Sequence, residues 1–266
     1  MEGSCEARPT ELDVVSRPRN IVVLKDKLTM RYVGKGNHSH DAGAMRTDHP
    51  APKRIAVFYY EVLVIDAGTR GSIAIGLADE HFELNRQPGC EVNSYSYLGE
   101  DGRRYNDCER GEFPLEQLCT LPSAPGPLAD DHPHTRRAGE SYGPTFGTGD
   151  VVGCGLVCER REIFFTKNGE HLGTAFRDVP SSLPCSLYPT VSLHSPDEAV
   201  TLNLGAQPFK FDVQNLVESM RRDKLAQACG GHPHPHPIPS CLPHPHPIPA
   251  HPHPHPHPIP SHPIPS

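Results

Sequence analysis

The sequence predicts an all-β protein, an antiparallel sandwich or barrel with one short helix near its C-terminus. Three observations carry this expectation. Apolar and polar residues alternate with period two through many short segments in the middle of the chain. The 31 prolines and 23 glycines among 266 residues cut it into pieces too short for many long helices. Turn formers such as Asp101-Gly102 and Asn168-Gly169 separate the alternating segments at short spacing.

In chain order, residues 28–33 (LTMRYV) alternate as a half-buried strand does. Residues 58–65 (FYYEVLVI) predict a longer strand, closed at Asp66-Ala67-Gly68. Residues 72–77 (SIAIGL) follow, and the two are expected to pair antiparallel through a short glycine-containing loop. Tyr95-Ser96-Tyr97 runs into a turn at Glu100-Asp101-Gly102, with Arg103-Arg104-Tyr105 returning. Residues 151–157 and 162–166 form another expected pair. Lys167-Asn168-Gly169 then makes a tight turn, because Asn-Gly tolerates positive φ. Residues 188–193 and 199–204 complete the strands. Apolar residues at Val213, Leu216, Val217, Met220 and Leu225 keep helical spacing, so a helix is expected over 213–229, capped by Asp212.

Three stretches break the pattern. Residues 1–19 are expected to be disordered. Residues 114–139 have many breakers and no sustained period, which predicts a long surface loop. From residue 230 to 266 a His-Pro-Ile-Pro repeat takes over, and proline at every second position blocks helix and sheet alike. That tail is expected to be extended and solvated.

Composition narrows the function. A formal charge of −7 with only scattered basic pairs argues against nucleic acid, which needs a basic stripe. No apolar run approaches the ~20 residues of a membrane span. The polar start, Met1-Glu2-Gly3-Ser4, is unlike a signal peptide, so a cytoplasmic or nuclear location is expected. The nine cysteines are odd in number, and none are spaced C-x-x-C, so they are expected to be reduced thiols rather than zinc or redox sites. Cys154 and Cys158 share one strand face as small hydrophobes. No G-x-S-x-G, H-E-x-x-H or G-x-G-x-x-G pattern supports catalysis or nucleotide binding, so neither an enzyme nor a cofactor is expected.

Most of the 18 histidines fall in the tail. His232, His234, His236, His253, His255 and His257 form an array of imidazoles, which gives an alternative reading as a metal-binding protein with weak, unselective affinity.

The middle of the chain resembles the SPRY domain, in the variety found in RanBPM-like proteins. The resemblance is carried by RYVGKG (31–36), DHP (48–50), YYEV (59–62), GSIAIGL (71–77), LNRQPG (84–89) and SYSYLGEDG (94–102). It continues through YGPTFGTGDVVGCG (142–155), FFTKNG (164–169), LG (172–173), LYPTV (187–191) and GAQPFKFD (205–212). It covers residues 20–212 and implies a two-sheet antiparallel β-sandwich. It further implies a non-catalytic module that binds a protein or peptide segment through loops at one edge, as a scaffold or as a substrate receptor of a ubiquitin ligase. Three departures stand out. Cys90 replaces the tryptophan usual after Pro-Gly, residues 114–139 are inserted, and the LisH, CTLH and CRA helical segments that follow the domain in RanBPM do not occur in this sequence. The domain alone is still expected to bind a partner.

Matched by motif, the resemblance points to three groups of partner-binding residues. They are Arg46, Thr47 and His49 before the long strand, Asn85, Arg86 and Gln87 after SIAIGL, and Leu193, His194 and Ser195 after LYPTV. Tyr95 and Tyr97 are added as exposed aromatics. Arg46 and Arg86 have the fork of donors that engages carboxylates or carbonyls. The competing expectation is that Arg86 and Gln87 pin their own loop and that the two tyrosines are core.

Overall fold

The computed structural model describes residues 6–38, 41–106, 139–180 and 186–228. Among them, thirteen strands form two antiparallel sheets. The seven-stranded sheet has the order β1 (Ile21–Val23), β2 (Thr29–Tyr32), β13 (Glu198–Asn203), β4 (Val57–Ala67), β9 (Val151–Val157), β10 (Glu162–Lys167) and β11 (Glu170–Phe176). The six-stranded sheet has the order β3 (Gly43–Arg46), β12 (Tyr188–Leu193), β5 (Ala74–Ala78), β6 (Ser94–Leu98), β7 (Arg103–Asn106) and β8 (Glu140–Ser141). The two-sheet sandwich is therefore present.

Its core is the space between the sheets, filled by alternate residues of facing strands. Tyr60, Val62 and Val64 of β4 and Phe165 of β10 are buried there with Ile75, Leu77, Tyr97, Val191 and Leu193 from the other sheet. The Tyr60 hydroxyl crosses the core and donates to the Gly76 carbonyl at 2.6 Å, so the ring's one polar atom is satisfied between the layers.

One sequence expectation needs correction here. The strands at 58–65 and 72–77 do not pair with each other. β4 pairs with β13 and β9, whereas β5 pairs with β12 and β6 in the opposite sheet. Both strands carry a strongly apolar face, and the intervening residues are long enough to cross the sandwich. The two faces meet across the core instead of lying side by side. By contrast, β9 and β10 do pair, and the turn after β10 holds Asn168 at φ 53° and Gly169 at φ 87°.

Each sheet also has its outer face partly covered. On the six-stranded sheet the outward residues are small, including Ala44 and Ala78, and Phe82 and Leu84 of the following loop pack on them. The Ser96 hydroxyl donates to the Pro88 carbonyl at 2.6 Å, and the Ala44 amide donates to the Leu84 carbonyl at 2.8 Å. This explains why every residue of β5 and β6 is buried. On the seven-stranded sheet, Tyr59, Val157 and Phe164 form a second apolar cluster with Phe209, Phe211, Val213, Leu216 and Met220. The last three lie on α1 (Val213–Ala228), whose start is capped by the Asp212 carboxylate accepting the Asn215 amide at 2.9 Å. The chain divides into two compact units within this helix, the first ending at Arg222 and the second starting at Asp223.

Residues 6–19 are not free of the fold. Leu12 is fully buried and bridges to Thr47, and the Asp48 carboxylate accepts the Thr10 amide at 2.8 Å. Residues 114–138 and the 230–266 tail lie outside the described residues.

Candidate functional site

At one end of the six-stranded sheet, β12 finishes, β5 begins and β6 turns into β7. The connections that emerge there form a rim: residues 33–38 after β2, 68–73 between β4 and β5, 99–102 between β6 and β7, 142–150 after β8, and 194–197 between β12 and β13.

The rim is built on a buried acid. Glu198, with 0% relative exposure, opens β13 opposite Ala67. Its carboxylate accepts the amides of His194 at 2.6 Å and Ser195 at 2.9 Å, and the Ser195 hydroxyl at 2.6 Å. Burial pushes its carboxyl above the ordinary glutamate value, against hydrogen bonds from Ser195, His194 and Ser72 that favour the charged form.

From this point the loops are tied to one another. The Arg70 amide donates to Ser195 Oγ at 3.3 Å, and the Thr69 amide donates to the Pro196 carbonyl at 3.3 Å. The Arg70 guanidinium reaches the Gly36 carbonyl at 2.9 Å. His194 Nε2 lies 2.8 Å from the His38 carbonyl, which only accepts, so that nitrogen carries the proton. Gly36 adopts φ 66°, and a side chain there would run into the His194 carbonyl. Further round, the Ala67 amide donates to Thr148 Oγ1 at 2.9 Å, the Ser72 hydroxyl meets the Glu100 carboxylate, and the Phe146 amide donates to the Gly99 carbonyl at 3.1 Å. What remains exposed is a largely polar surface that includes Lys35, His38, Arg70, Glu100, Thr148 and Asp197, with the exposed Val33 beside them.

The residues expected from sequence separate into different places. His194 is half-buried on this rim, but Leu193 and Ser195 are fully buried, one in the core and the other under Arg70. Arg46, Thr47 and His49 lie at the other end of the same sheet, because Arg46 pairs with Thr190 near the start of β12 and Gly43 pairs with Leu193 at its finish. There Arg46 donates to the Glu80 carbonyl and lies 5.5 Å from the centre of the Tyr188 ring. Thr47 is buried and donates to the His49 carbonyl at 2.8 Å, and the exposed His49 pairs with Asp48 at 3.0 Å. The 85–87 loop lies over the sheet's outer face. Asn85 is exposed, Arg86 sits between Glu83 at 3.3 Å and Glu91 at 3.2 Å, and the Gln87 amide donates to the Ser72 carbonyl at 3.0 Å.

Tyr95 and Tyr97 are not exposed aromatics. Both are buried, Tyr95 edge-on to Phe176 at 5.2 Å and Tyr97 among Tyr142, Phe146 and Phe165. β6 lies inside its sheet with both faces covered, so neither parity of its residues reaches solvent. Sequence reasoning missed Arg70, His38 and Glu198. The one signal present was the spacing Ser195-x-x-Glu198, a helix-capping pattern used here to hold a loop.

A separate cavity of about 370 Å³ lies beside β7, β8 and β11. Its arginines are already engaged, Arg104 with Glu140 and the Ala175 carbonyl and Arg177 with Glu162. Among the described residues no group of three or more His, Cys, Asp or Glu could hold a metal ion, and no helix is long and apolar enough to cross a membrane. The tail histidines from His232 to His257 lie outside the described residues.

Comparison with known proteins agrees with the two-sheet fold. The family described as "SPRY domain" matches residues 129–207. The Ran-binding protein M homolog of Arabidopsis thaliana is 36% identical over 221 residues, which is 83% of this chain and 40% of that protein. Ran-binding protein 9 of Xenopus laevis is 38% identical over 200 residues, 75% of this chain and 31% of the relative. Its Homo sapiens counterpart is 36% identical over 203 residues, 76% of this chain and 24% of the relative. The chain thus spans less than half the length of these relatives. A crystal structure of a human SPRY domain aligns with a TM-score of 0.52 at 29% identity, covering 71% of this chain and 98% of that one. The SPRY domain of human HERC1 shares the fold with a TM-score of 0.50 at 18% identity, over 74% and 99% of the two chains.

Proposed function

Because this chain carries a SPRY domain of the RanBPM-like kind, we propose that it is a binding module, without catalysis, that takes a segment of a partner protein on its loop rim. One observation carries the choice of the rim over other surfaces. Its loops are held to one another through backbone groups and the buried Glu198, while Arg70, His38 and Thr148 stay accessible. A surface ordered before binding loses less entropy when the partner arrives, which is what a recognition site needs. The RanBPM-like character extends the reading to a scaffold, or to a subunit that recruits substrates to a ubiquitin ligase. The polar lining favours an extended peptide whose backbone and side chains meet these donors, rather than a small apolar ligand.

The two ends of the six-stranded sheet provide the test. The full chain is used to capture partners from lysate, beside a rim variant (Thr69→Ala with Arg70→Ala and Thr148→Ala) and a variant at the opposite end, His49→Ala. Loss of a partner from the rim variant alone supports the reading. Loss from His49→Ala with retention by the rim variant moves the binding surface to the Arg46–His49 end and overturns it.

A further inference from the structure

We propose that Glu198 is the positioning residue of the rim, whose buried carboxylate, bonded within the 194–197 loop and to Ser72 of the 68–73 loop, fixes the shape of three loops together. The importance of this role for binding rests on the rim being the recognition surface; the role itself can be measured without any partner.

The argument starts from an anomaly of composition. A fully buried glutamate is costly unless its charge is met by hydrogen bonds, and an aliphatic residue would fill the same volume more cheaply. What an aliphatic residue cannot do is accept the donors that converge here, the amides of His194, Ser195 and Ser72 and the Ser195 hydroxyl. A glutamine would turn an N–H₂ group towards one set of those donors. The site therefore fits a carboxylate and no other side chain of that size.

From residues 194–195 the constraint passes outward in two steps. Ser195 Oγ, oriented by Glu198, receives the Arg70 amide, and Arg70 then reaches across to the Gly36 carbonyl. In parallel, the His194 ring holds the His38 carbonyl, and the Pro196 carbonyl holds the Thr69 amide. Gly36 lies so near the His194 carbonyl that an added Cβ would collide with it, so the two loops meet backbone to backbone. The exposed groups a partner would meet, Arg70 and His38, thus take their positions from an acid that neither of them touches.

The test is amide hydrogen exchange by NMR on the full chain, comparing wild type with Glu198→Gln and Ser195→Ala. In Glu198→Gln, exchange at Thr69, Arg70, His194 and Ser195 is expected to rise together by about tenfold or more, the scale of one lost charge-assisted hydrogen bond. The Gly36 and Asn37 resonances should shift as well, while β4 and β9 keep their protection. Ser195→Ala removes the hydroxyl that joins Glu198 to the Arg70 amide but leaves the His194 amide on the carboxylate, so exchange should rise at Arg70 and stay low at His194. A change confined to residues 194–198, or an even rise across all strands, would overturn the proposal. If Glu198→Gln does not fold, the Ser195→Ala pattern decides alone. A rim that exchanges as expected but captures no partner would count against the binding reading and leave the role of Glu198 standing.

Discussion

The carboxylate of Glu61 and the backbone amide of Phe211 lie 2.9 Å apart, and this contact fastens the C-terminal segment to the outer face of the seven-stranded sheet. The Lys210 amide donates to the same carboxylate at 2.9 Å, and so does the Tyr59 hydroxyl at 2.9 Å. Phe209 and Phe211 then pack on Tyr59 at ring distances of 5.0 and 5.4 Å, which places Val213, Leu216 and Met220 of the helix over the sheet. A polar anchor thus sets the register of an apolar contact.

Glu61→Ala should therefore loosen the helix and not merely the strand that carries it. Two backbone amides and a phenol lose their acceptor, for an expected loss of about 3 kcal/mol in urea unfolding. Amides of residues 213–222 should exchange faster than those of β4. Equal loss of protection in both would mean that Glu61 supports the sheet itself.

Tyr97 offers a test of core against surface. Its ring is enclosed by Tyr142, Phe146 and Phe165, and its hydroxyl donates to the Pro144 carbonyl. Tyr97→Phe is expected to cost about 1 kcal/mol, the hydrogen bond alone. Tyr97→Ala should cost about 3–5 kcal/mol, as a large core truncation does. Denaturant midpoints separate the two. A Tyr97→Ala protein as stable as wild type would return the ring to the surface.

These outcomes show what the sequence could and could not reveal. Strand periodicity located β4, β9 and β10 because each has one apolar face and a turn signal after it. It failed to see β1, β3 and β11, whose residues follow no clean alternation, since edge strands face neighbours of mixed character. It also paired β4 with β5, because adjacency along the chain is silent about which layer a strand enters. For the candidate site, the loop 193–195 was legible from its motif, but Arg46 at the opposite end was not separable from it. Separation required the pairing of β3 with β12, a long-range fact. Glu198 reads from sequence as the acid of a Ser-x-x-Glu capping pattern in a Pro-Asp-Glu stretch, and its burial is what marks it as the anchor of a loop.

Gly155 should resist replacement for a packing reason. It adopts no unusual φ, but its position on β9 faces the Phe164 ring across the strand pair, and an added Cβ would enter that ring. Phe164 is also the floor on which Phe211 and the helix rest. Gly155→Ala is expected to cost about 1–3 kcal/mol as an overpacking change, with the helix loosening first. Circular dichroism melts, together with a fluorescence probe placed on the helix, would detect this. An unchanged melt would mean that Phe164 has room to turn aside.

Stability should respond to acid through Asp150, which braces the rim from the side of the seven-stranded sheet. Its carboxylate accepts the Gly147 amide at 2.9 Å and the Asn168 side-chain amide at 2.7 Å, and pairs with Lys167 at 3.2 Å. Burial alone would raise its pKa, but the Gly147 amide, Asn168 and Lys167 outweigh it and hold the carboxyl below its ordinary value of 3.8. A folded-state pKa below the unfolded one means that the stabilisation is fully present above the unfolded value and is lost as pH falls through the folded value. The difference in urea midpoint between wild type and Asp150→Asn should hold steady from about pH 7 to about pH 5 and shrink below about pH 4. The 143–149 loop should lose amide protection over the same acid range, since Gly147 depends on that carboxylate. A midpoint difference that stays constant down to about pH 2.5 would show that the charge on Asp150 contributes nothing and that only the shape of its side chain matters.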